Sequence, residues 1–327
     1  MTESAQKIAF IFPGQGSQAI GMGKDLVEKY PIAWQTFEEA DDVLGYKLSQ
    51  LCFEGPEDQL RLTEITQPAI LTTSIAALRA LEGHISKPSF VAGHSLGEYS
   101  AHVASGTISF ADAVRTVRNR GKYMQEAVPV GVGAMAAILG MDLEKVVAIC
   151  EEVAQGEVCA PANINSPEQI VISGNTAAVE RGAKLADERG AKRAKLLPVS
   201  APFHCSLMKP AQDRLEADLN KLRMQKPVYP VACNVDASLV SDEMRARETL
   251  VAQVTGSVKW EQSMRLLIAQ GVQTFVEIGP GKVLCGLMRQ IDRSTICLNV
   301  GDEASLSKAL AQLEPGSSGI PDHKAAS

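Results

Sequence analysis

Phe90-Val91-Ala92-Gly93-His94-Ser95-Leu96-Gly97 compresses a short apolar strand, a tight turn and the start of a helix into eight residues. The turn fits G-x-S-x-G. That string alone is a weak signal, but a strand before it and a helix after it, to about Ser105, are what a nucleophile elbow requires. In such an elbow the serine occupies a strained strand-to-helix turn, and its flanking glycines let the backbone pass closely. The Leu96 amide, in the first turn of the helix, then points toward a developing oxyanion. The plainer alternative is a serine that merely caps a helix in a βα turn. Ser95 is the candidate nucleophile.

Outward from this turn, short apolar runs alternate with helical patterns, the signature of a mostly parallel α/β sheet. Lys7–Phe12 reads as a first strand and Pro31–Gly45 as a helix, with proline in its first turn and glycine past its end. Gln67–Glu82 is a second helix, and Ser109 with Asp112 forms a capping pair opening a third, to about Gln125. Residues 131–200 change rhythm. Strands Ala134–Leu139, Val158–Asn163, Gln169–Ser173 and Arg193–Val199 interleave with helices Leu143–Ala154 and Ala177–Arg189. That β-α-β-β-α-β order is the ferredoxin-like split unit. Alternation then resumes through strands Val228–Val235, Gln273–Ile278 and Thr295–Val300. The expectation is a discontinuous α/β domain, 1–129 with 201–314, carrying an inserted small domain at 130–200. Residues 315–327 have no apolar period and read as a disordered tail.

The chain has 327 residues, 45% hydrophobic and 21% charged, which excludes disorder, collagen and coiled coil. Its net charge of −6 argues against nucleic acid as a partner, since such binders carry a basic excess. No membrane span is expected: the longest uncharged run, 127–141, is too short and holds Pro129 and three glycines. The first residues lack a basic segment followed by an apolar core, so no secretory signal is read. Seven scattered cysteines with no C-x-x-C pair suit free thiols and a reducing cytoplasm, and offer no metal site.

A serine nucleophile needs a base, and the chain has five histidines. His94 adjoins Ser95, and neighbouring side chains on a tight turn diverge. His102 lies seven residues up the helix, about 10 Å along its axis. His84 falls in a polar turn and His323 in the tail. His204 remains, on a loop after a strand and after the serine in chain order, as hydrolase-type bases are. No acid announces itself as a third member; a backbone carbonyl fixes the imidazole tautomer equally well. Gly14-Gln15-Gly16-Ser17-Gln18-Ala19 matches G-x-G-x-x-G/A, but a dinucleotide site needs a second strand ending in an acid about twenty residues on. Glu38 and Glu39 stand there inside a helical pattern, so the glycine turn is better read as bringing Gln15 to the active site. Arg120 flanks the apolar face of its helix; a flank arginine commonly snorkels to solvent, yet a fixed guanidinium is the fork that binds a carboxylate bidentately.

The sequence strongly resembles the malonyl-CoA:acyl-carrier-protein transacylases of bacterial fatty acid synthesis. The matching strings are Phe12-Pro13-Gly14-Gln15-Gly16-Ser17-Gln18, Thr66-Gln67-Pro68-Ala69, Gly93-His94-Ser95-Leu96-Gly97-Glu98 and Arg118-Asn119-Arg120-Gly121, followed by Asn163-Ile164-Asn165-Ser166-Pro167, Val199-Ser200-Ala201-Pro202-Phe203-His204-Cys205 and Glu277-Ile278-Gly279-Pro280-Gly281. They occur in family order from residue 8 to about 300. The resemblance implies an α/β-hydrolase-like large domain with a ferredoxin-like insertion, Ser95 as nucleophile and His204 as base. It implies Arg120 as the malonyl carboxylate clamp, Gln15 and the Leu96 amide as the oxyanion hole, and the Gln253 carbonyl as the group orienting His204. Phe203 is similar to the malonyl-preferring members.

The expected chemistry is ping-pong transfer from malonyl-CoA to the phosphopantetheine thiol of acyl carrier protein, with no cofactor, in a cytoplasmic monomer. Because carrier proteins are acidic, a local basic patch is expected, and Arg181, Lys184, Arg189, Lys192, Arg193 and Lys195 are the candidates; a solvated helix face is the alternative. The rival function is a serine esterase or thioesterase, which shares Ser95 and His204 but has no use for Arg120.

Overall fold

Lys7-Ile-Ala-Phe-Ile-Phe12 is apolar on both faces and buried from its second residue onward, as a central parallel strand must be. The computed structural model describes residues 7–199 and 201–313. β1 (Lys7–Phe12) is followed by α1 (Lys24–Lys29), α2 (Pro31–Leu44), α3 (Leu48–Glu54), α4 (Glu57–Leu60) and α5 (Thr63–Leu81). β2 (Phe90–Gly93) leads into α6 (Gly97–Ala104) and α7 (Phe110–Glu126). Then come β3 (Gly133–Leu139), α8 (Leu143–Ala154), β4 (Cys159–Ser166), β5 (Gln169–Asn175), α9 (Thr176–Glu188) and β6 (Arg193–Leu196). After a 3-10 turn at Ser206–Met208 follow α10 (Lys209–Leu219), β7 (Val231–Ala232), β8 (Leu239–Val240), α11 (Glu243–Ala252) and α12 (Trp260–Ala269). β9 (Val272–Ile278), α13 (Val283–Ile291), β10 (Ile296–Val300) and α14 (Glu303–Leu313) close the described chain.

Two sheets result. The larger has the order β10-β9-β1-β2-β7-β8, parallel except for β8, the α/β-hydrolase-like layer. The smaller is antiparallel in the order β4-β5-β3-β6, the ferredoxin-like arrangement. Strand alternation splits β3 between two environments. Ala136 and Ile138 pack with Val146, Ile149, Ile172 and Val179 beneath α8 and α9, whereas Met135 joins the core of the larger unit. β4 is also tied by backbone to the loop before α12: Ile164 N–H donates to Val258 O at 2.9 Å and Val258 N–H to Ala162 O at 2.8 Å.

Local chemistry explains most boundaries. α2 starts on Pro31 and ends at Gly45, whose φ of 73° suits glycine. α7 starts where Ser109 accepts from the Asp112 amide. α5 begins at Thr63 rather than Gln67 and carries Pro68 inside it, where the ring gives up one intrahelical hydrogen bond. The strand expected over Val228–Val235 shrinks to Val231–Ala232: Pro227 and Pro230 cannot donate to a ladder.

The reading of seven free thiols is corrected. Cys285 on α13 and Cys297 on β10 form a disulfide, with Cα atoms 5.4 Å apart, because that helix packs onto that strand. The other five cysteines are free. Among the described residues, no helix is long and apolar enough to cross a membrane, and no group of three or more His, Cys, Asp or Glu side chains could hold a metal. The tail expected at 315–327 lies outside the described residues.

Candidate active site

β1 and β2 are parallel neighbours in register, Phe12 opposite Gly93, so the loops leaving their C-terminal ends emerge side by side. One carries Gly14 and Gln15, the other His94 and Ser95. Only glycine fits at 14: a Cβ there would sit 2.4 Å from His94 O. Within the elbow, a Cβ on Gly93 would meet the Gly97 backbone at 1.9 Å, and one on Gly97 would meet Phe12 O at 2.1 Å. These contacts explain the glycines of G-x-S-x-G. Ser95 itself is held at φ 51°, a left-handed conformation costly for a side-chain-bearing residue.

Ser95 Oγ lies 2.7 Å from Nε2 of His204. On the far side of the ring, Nδ1 lies 2.9 Å from the backbone carbonyl of Gln253. A carbonyl only accepts, so Nδ1 carries the proton and Nε2 presents its lone pair to the serine hydroxyl. His204 is buried. Burial, reinforced by the Arg120 charge, pushes its imidazole down to about 3, so the ring is neutral at physiological pH and its Nε2 lone pair is free to receive a proton.

Arg120 projects inward and is 2% exposed. Its Nη1 donates to Gln67 Oε1 at 2.7 Å, and its Nη2 to Gln253 Oε1 at 2.9 Å and to Ser95 Oγ at 3.1 Å. The guanidinium also lies over the Tyr99 ring, 5.6 Å from its centroid. The serine oxygen can thus accept from Arg120 while donating to His204. A cavity of about 120 Å³ opens onto these groups, and Gln15, Leu96, Met135 and Phe203 are in its wall. Gln15 is exposed at the rim. The Ser95 amide is engaged by Asn234 Oδ1 at 2.7 Å, whereas the Leu96 amide, next in the chain, has no acceptor among the described residues.

The structure therefore brings Ser95, His204, Arg120, Gln15 and Leu96 to one pocket, with Gln253 buried and hydrogen-bonded to His204 and Arg120. His94 also lines the pocket, but its Nε2 lies 2.8 Å from Asn165 Oδ1, not on the serine, and its ring is 5.5 Å from Trp260. Sequence reasoning gave no role to Gln67, Asn234 or Glu98, or to the Gln253 side chain. Gln67 and Glu98 stand inside quoted motifs, which was the available signal; Asn234 had none.

The proposed basic cluster changes character. Arg181 pairs with Glu157, Lys184 with Glu188, Arg189 with Glu152 and Lys192 with Glu168. Only Arg193 and Lys195, both exposed on the edge strand β6, have no ion pair among the described residues. Four of the six charges are thus ion-paired within the small unit, and Arg193 and Lys195 are the unpaired members of the expected local basic patch among the described residues.

The profile of the acyl transferase domain family matches residues 9–315. The malonyl CoA-acyl carrier protein transacylase of Bacillus subtilis (strain 168) is 50% identical over 309 residues, 94% of this chain and 98% of that one. Its counterpart in Escherichia coli (strain K12) is 48% identical, over 93% and 99% of the two chains. Among solved structures, the Coxiella burnetii malonyl CoA-acyl carrier protein transacylase superposes with a TM-score of 0.92 at 44% identity, covering 94% of this chain and 98% of its own. A malonyl-transacylase solved in complex with a type II PKS acyl-carrier protein gives 0.92 at 47%, covering 94% of this chain and all of its own. The chain belongs to the acyl transferase family and, within it, to the malonyl CoA-acyl carrier protein transacylases.

Proposed function

We propose that this chain moves a malonyl group from malonyl-CoA to the phosphopantetheine thiol of acyl carrier protein through a malonyl ester on Ser95, supplying fatty acid elongation. In the first half-reaction His204 Nε2 takes the hydroxyl proton as Ser95 Oγ attacks the thioester carbonyl. The carbonyl oxygen becomes an oxyanion received by the Leu96 amide and Gln15. Collapse breaks the C–S bond, and the coenzyme A sulfur leaves with the proton from His204. In the second half-reaction His204 deprotonates the carrier thiol, whose sulfur attacks the ester, and Ser95 recovers its proton. No cofactor is needed for either step. Residues 130–200 act as a nested domain whose sheet walls one side of the pocket, and the work is placed in the cytoplasm beside the carrier. Arg193 and Lys195 are the remaining basic candidates for receiving an acidic carrier.

The observation that carries this reading is Arg120: a buried guanidinium 3.1 Å from the nucleophile has a purpose when the acyl group ends in a carboxylate, and none in a general esterase. The test is intact-mass measurement after incubation with malonyl-CoA. A persistent malonyl adduct that disappears in Ser95→Ala and transfers to holo carrier protein is expected. Rapid release of free malonate with no carrier product would make the protein a hydrolase instead.

A further inference from the structure

Glu98 lies one residue into α6, fully buried, and the mechanism above does not use it. Its Oε2 accepts from Gln253 Nε2 at 2.8 Å and from the Asn234 amide at 3.0 Å, while Oε1 has no partner among the described residues. Gln253 Nε2 also donates to Ser95 O at 3.0 Å. With both amide hydrogens directed at Glu98 and Ser95, the Gln253 oxygen must face the other way, and there it accepts from Arg120 Nη2 at 2.9 Å. One side-chain amide thus joins a buried carboxylate at its donor end to a buried guanidinium at its acceptor end. A buried cation is costly without an opposing charge, and Glu98 is the carboxylate whose field acts on Arg120.

We propose that Glu98 is the resident counter-charge of Arg120, relayed through Gln253, and that a malonyl carboxylate docking on Arg120 displaces this charge by driving a proton onto Glu98. The inference rests on the malonyl-transfer reading and makes Glu98 a positioning residue that tunes how open the clamp is to a second carboxylate.

The electrostatics support it. Burial pushes the Glu98 carboxyl up to about 7, against the pull of Gln253, Asn234 and the Arg120 charge, while Asp236 adds a smaller push upward. The other titratable neighbours, Tyr99 and Cys233, are themselves held upward by burial and stay neutral in this range. Glu98 is therefore poised near neutrality, and the Arg120 field is one of the influences keeping it ionised. A substrate carboxylate on Arg120 cancels that field, so Glu98 binds a proton more tightly, and linkage requires uptake of the proton from solvent. Acylation itself is proton-neutral: Ser95 loses its O–H proton and the coenzyme A sulfur gains one. The additional proton goes to the Glu98 carboxylate and returns to solvent when the malonyl group leaves for the carrier thiol.

The test counts protons during acylation in weak buffer with a pH indicator, at about pH 8, where the free enzyme is mostly ionised at Glu98. Malonyl-CoA is compared with acetyl-CoA, which releases the same thiol but brings no second carboxylate. The expected result is an excess uptake of roughly a few tenths of a proton per malonyl-enzyme over the acetyl-enzyme. In Glu98→Gln, which keeps an oxygen for both accepted hydrogen bonds and loses the charge, the two counts should be equal. In Glu98→Asp the excess should persist. Equal counts in the wild type, or an excess that survives in Glu98→Gln, would overturn the proposal. Equal counts in the wild type overturn the proposal even if a variant fails to fold. Intact mass on the same samples separates the failures: a malonyl adduct with equal proton counts sinks this inference alone, whereas no malonyl adduct sinks the transfer reading and this inference with it.

Discussion

Ser95 and His204, whose side chains meet at 2.7 Å, are both held in left-handed backbone conformations, φ 51° and φ 59°. Neither is glycine or asparagine, the residues that tolerate this region, so the fold spends strain at both ends of one hydrogen bond. A comparison of two variants isolates the cost at the nucleophile. Ser95→Ala and Ser95→Gly both lose the hydroxyl, but alanine keeps a Cβ in the unfavourable region. Ser95→Gly should be more stable than Ser95→Ala by about 1 kcal/mol in urea denaturation, and both should be unable to form a malonyl adduct. An alanine variant as stable as the glycine variant would mean that the turn holds no strain.

The buried imidazole leads to a second expectation. Protonated His204 cannot accept the serine proton, so acylation falls as pH drops through the folded pKa. Burial and the Arg120 charge place that value at about 3, far below the ordinary 6.5. The rate of Ser95 labelling by a neutral fluorophosphonate should therefore stay level through pH 6.5 and decline only in more acid solution. In Arg120→Met one source of the depression is gone, and the decline should begin at higher pH. His204→Ala should slow labelling by roughly 10²- to 10⁴-fold. A wild-type inflection near 6.5 would show that the ring is far better solvated than its 4% exposure allows.

Arg120 should discriminate between acyl groups. Its fork offers charge-assisted hydrogen bonds of about 1.5–3 kcal/mol to a carboxylate. Arg120→Ala should lower kcat/KM for malonyl-CoA by roughly 10- to 150-fold while leaving that for acetyl-CoA within a few-fold of wild type. An equal loss for both thioesters would remove the clamp assignment and leave Arg120 as a structural partner of Gln67 and Gln253.

How much of this was legible in the sequence depends on the range of each interaction. Ser95 was readable because strand, turn and helix are contiguous, and His204 because only four other histidines compete with it. Arg120 was visible as a residue at the margin of a helical face. Its burial was not, since its partners Gln67 and Gln253 stand 53 and 133 residues away. The small unit's β-α-β-β-α-β order was readable from periodicity within some 70 residues, but the ion pairs that neutralise its basic residues were not. Arg189 meets Glu152 across 37 positions and Arg181 meets Glu157 across 24, contacts that exist only once α9 packs on α8. The Cys285–Cys297 bridge was missed for the same reason: twelve residues of separation mean nothing until α13 lies against β10.

His102 provides a final expectation, for stability rather than catalysis. It is fully buried in α6, and neither ring nitrogen has a hydrogen-bond partner among the described residues. Burial pushes its imidazole down to about 3. In the unfolded chain the ring binds a proton below its ordinary pKa of about 6.5, whereas the folded protein refuses that proton until about 3. The unfolded state thus holds more protons across this window, and folding stability is intact above 6.5 and falls as pH drops through it. At pH 5, about 1.5 units below the unfolded pKa, the loss from this single ring is about 2 kcal/mol. His102→Leu, similar in bulk and unable to titrate, should reduce the stability lost between pH 7 and pH 5 by about that amount, read from urea midpoints at the two values. His204 contributes a loss of the same sign through its own burial, so the variant should flatten the acid slope without abolishing it. A wild type and a His102→Leu variant with identical slopes would mean that the buried ring accepts its proton in the folded state, through a partner or a water that satisfies it.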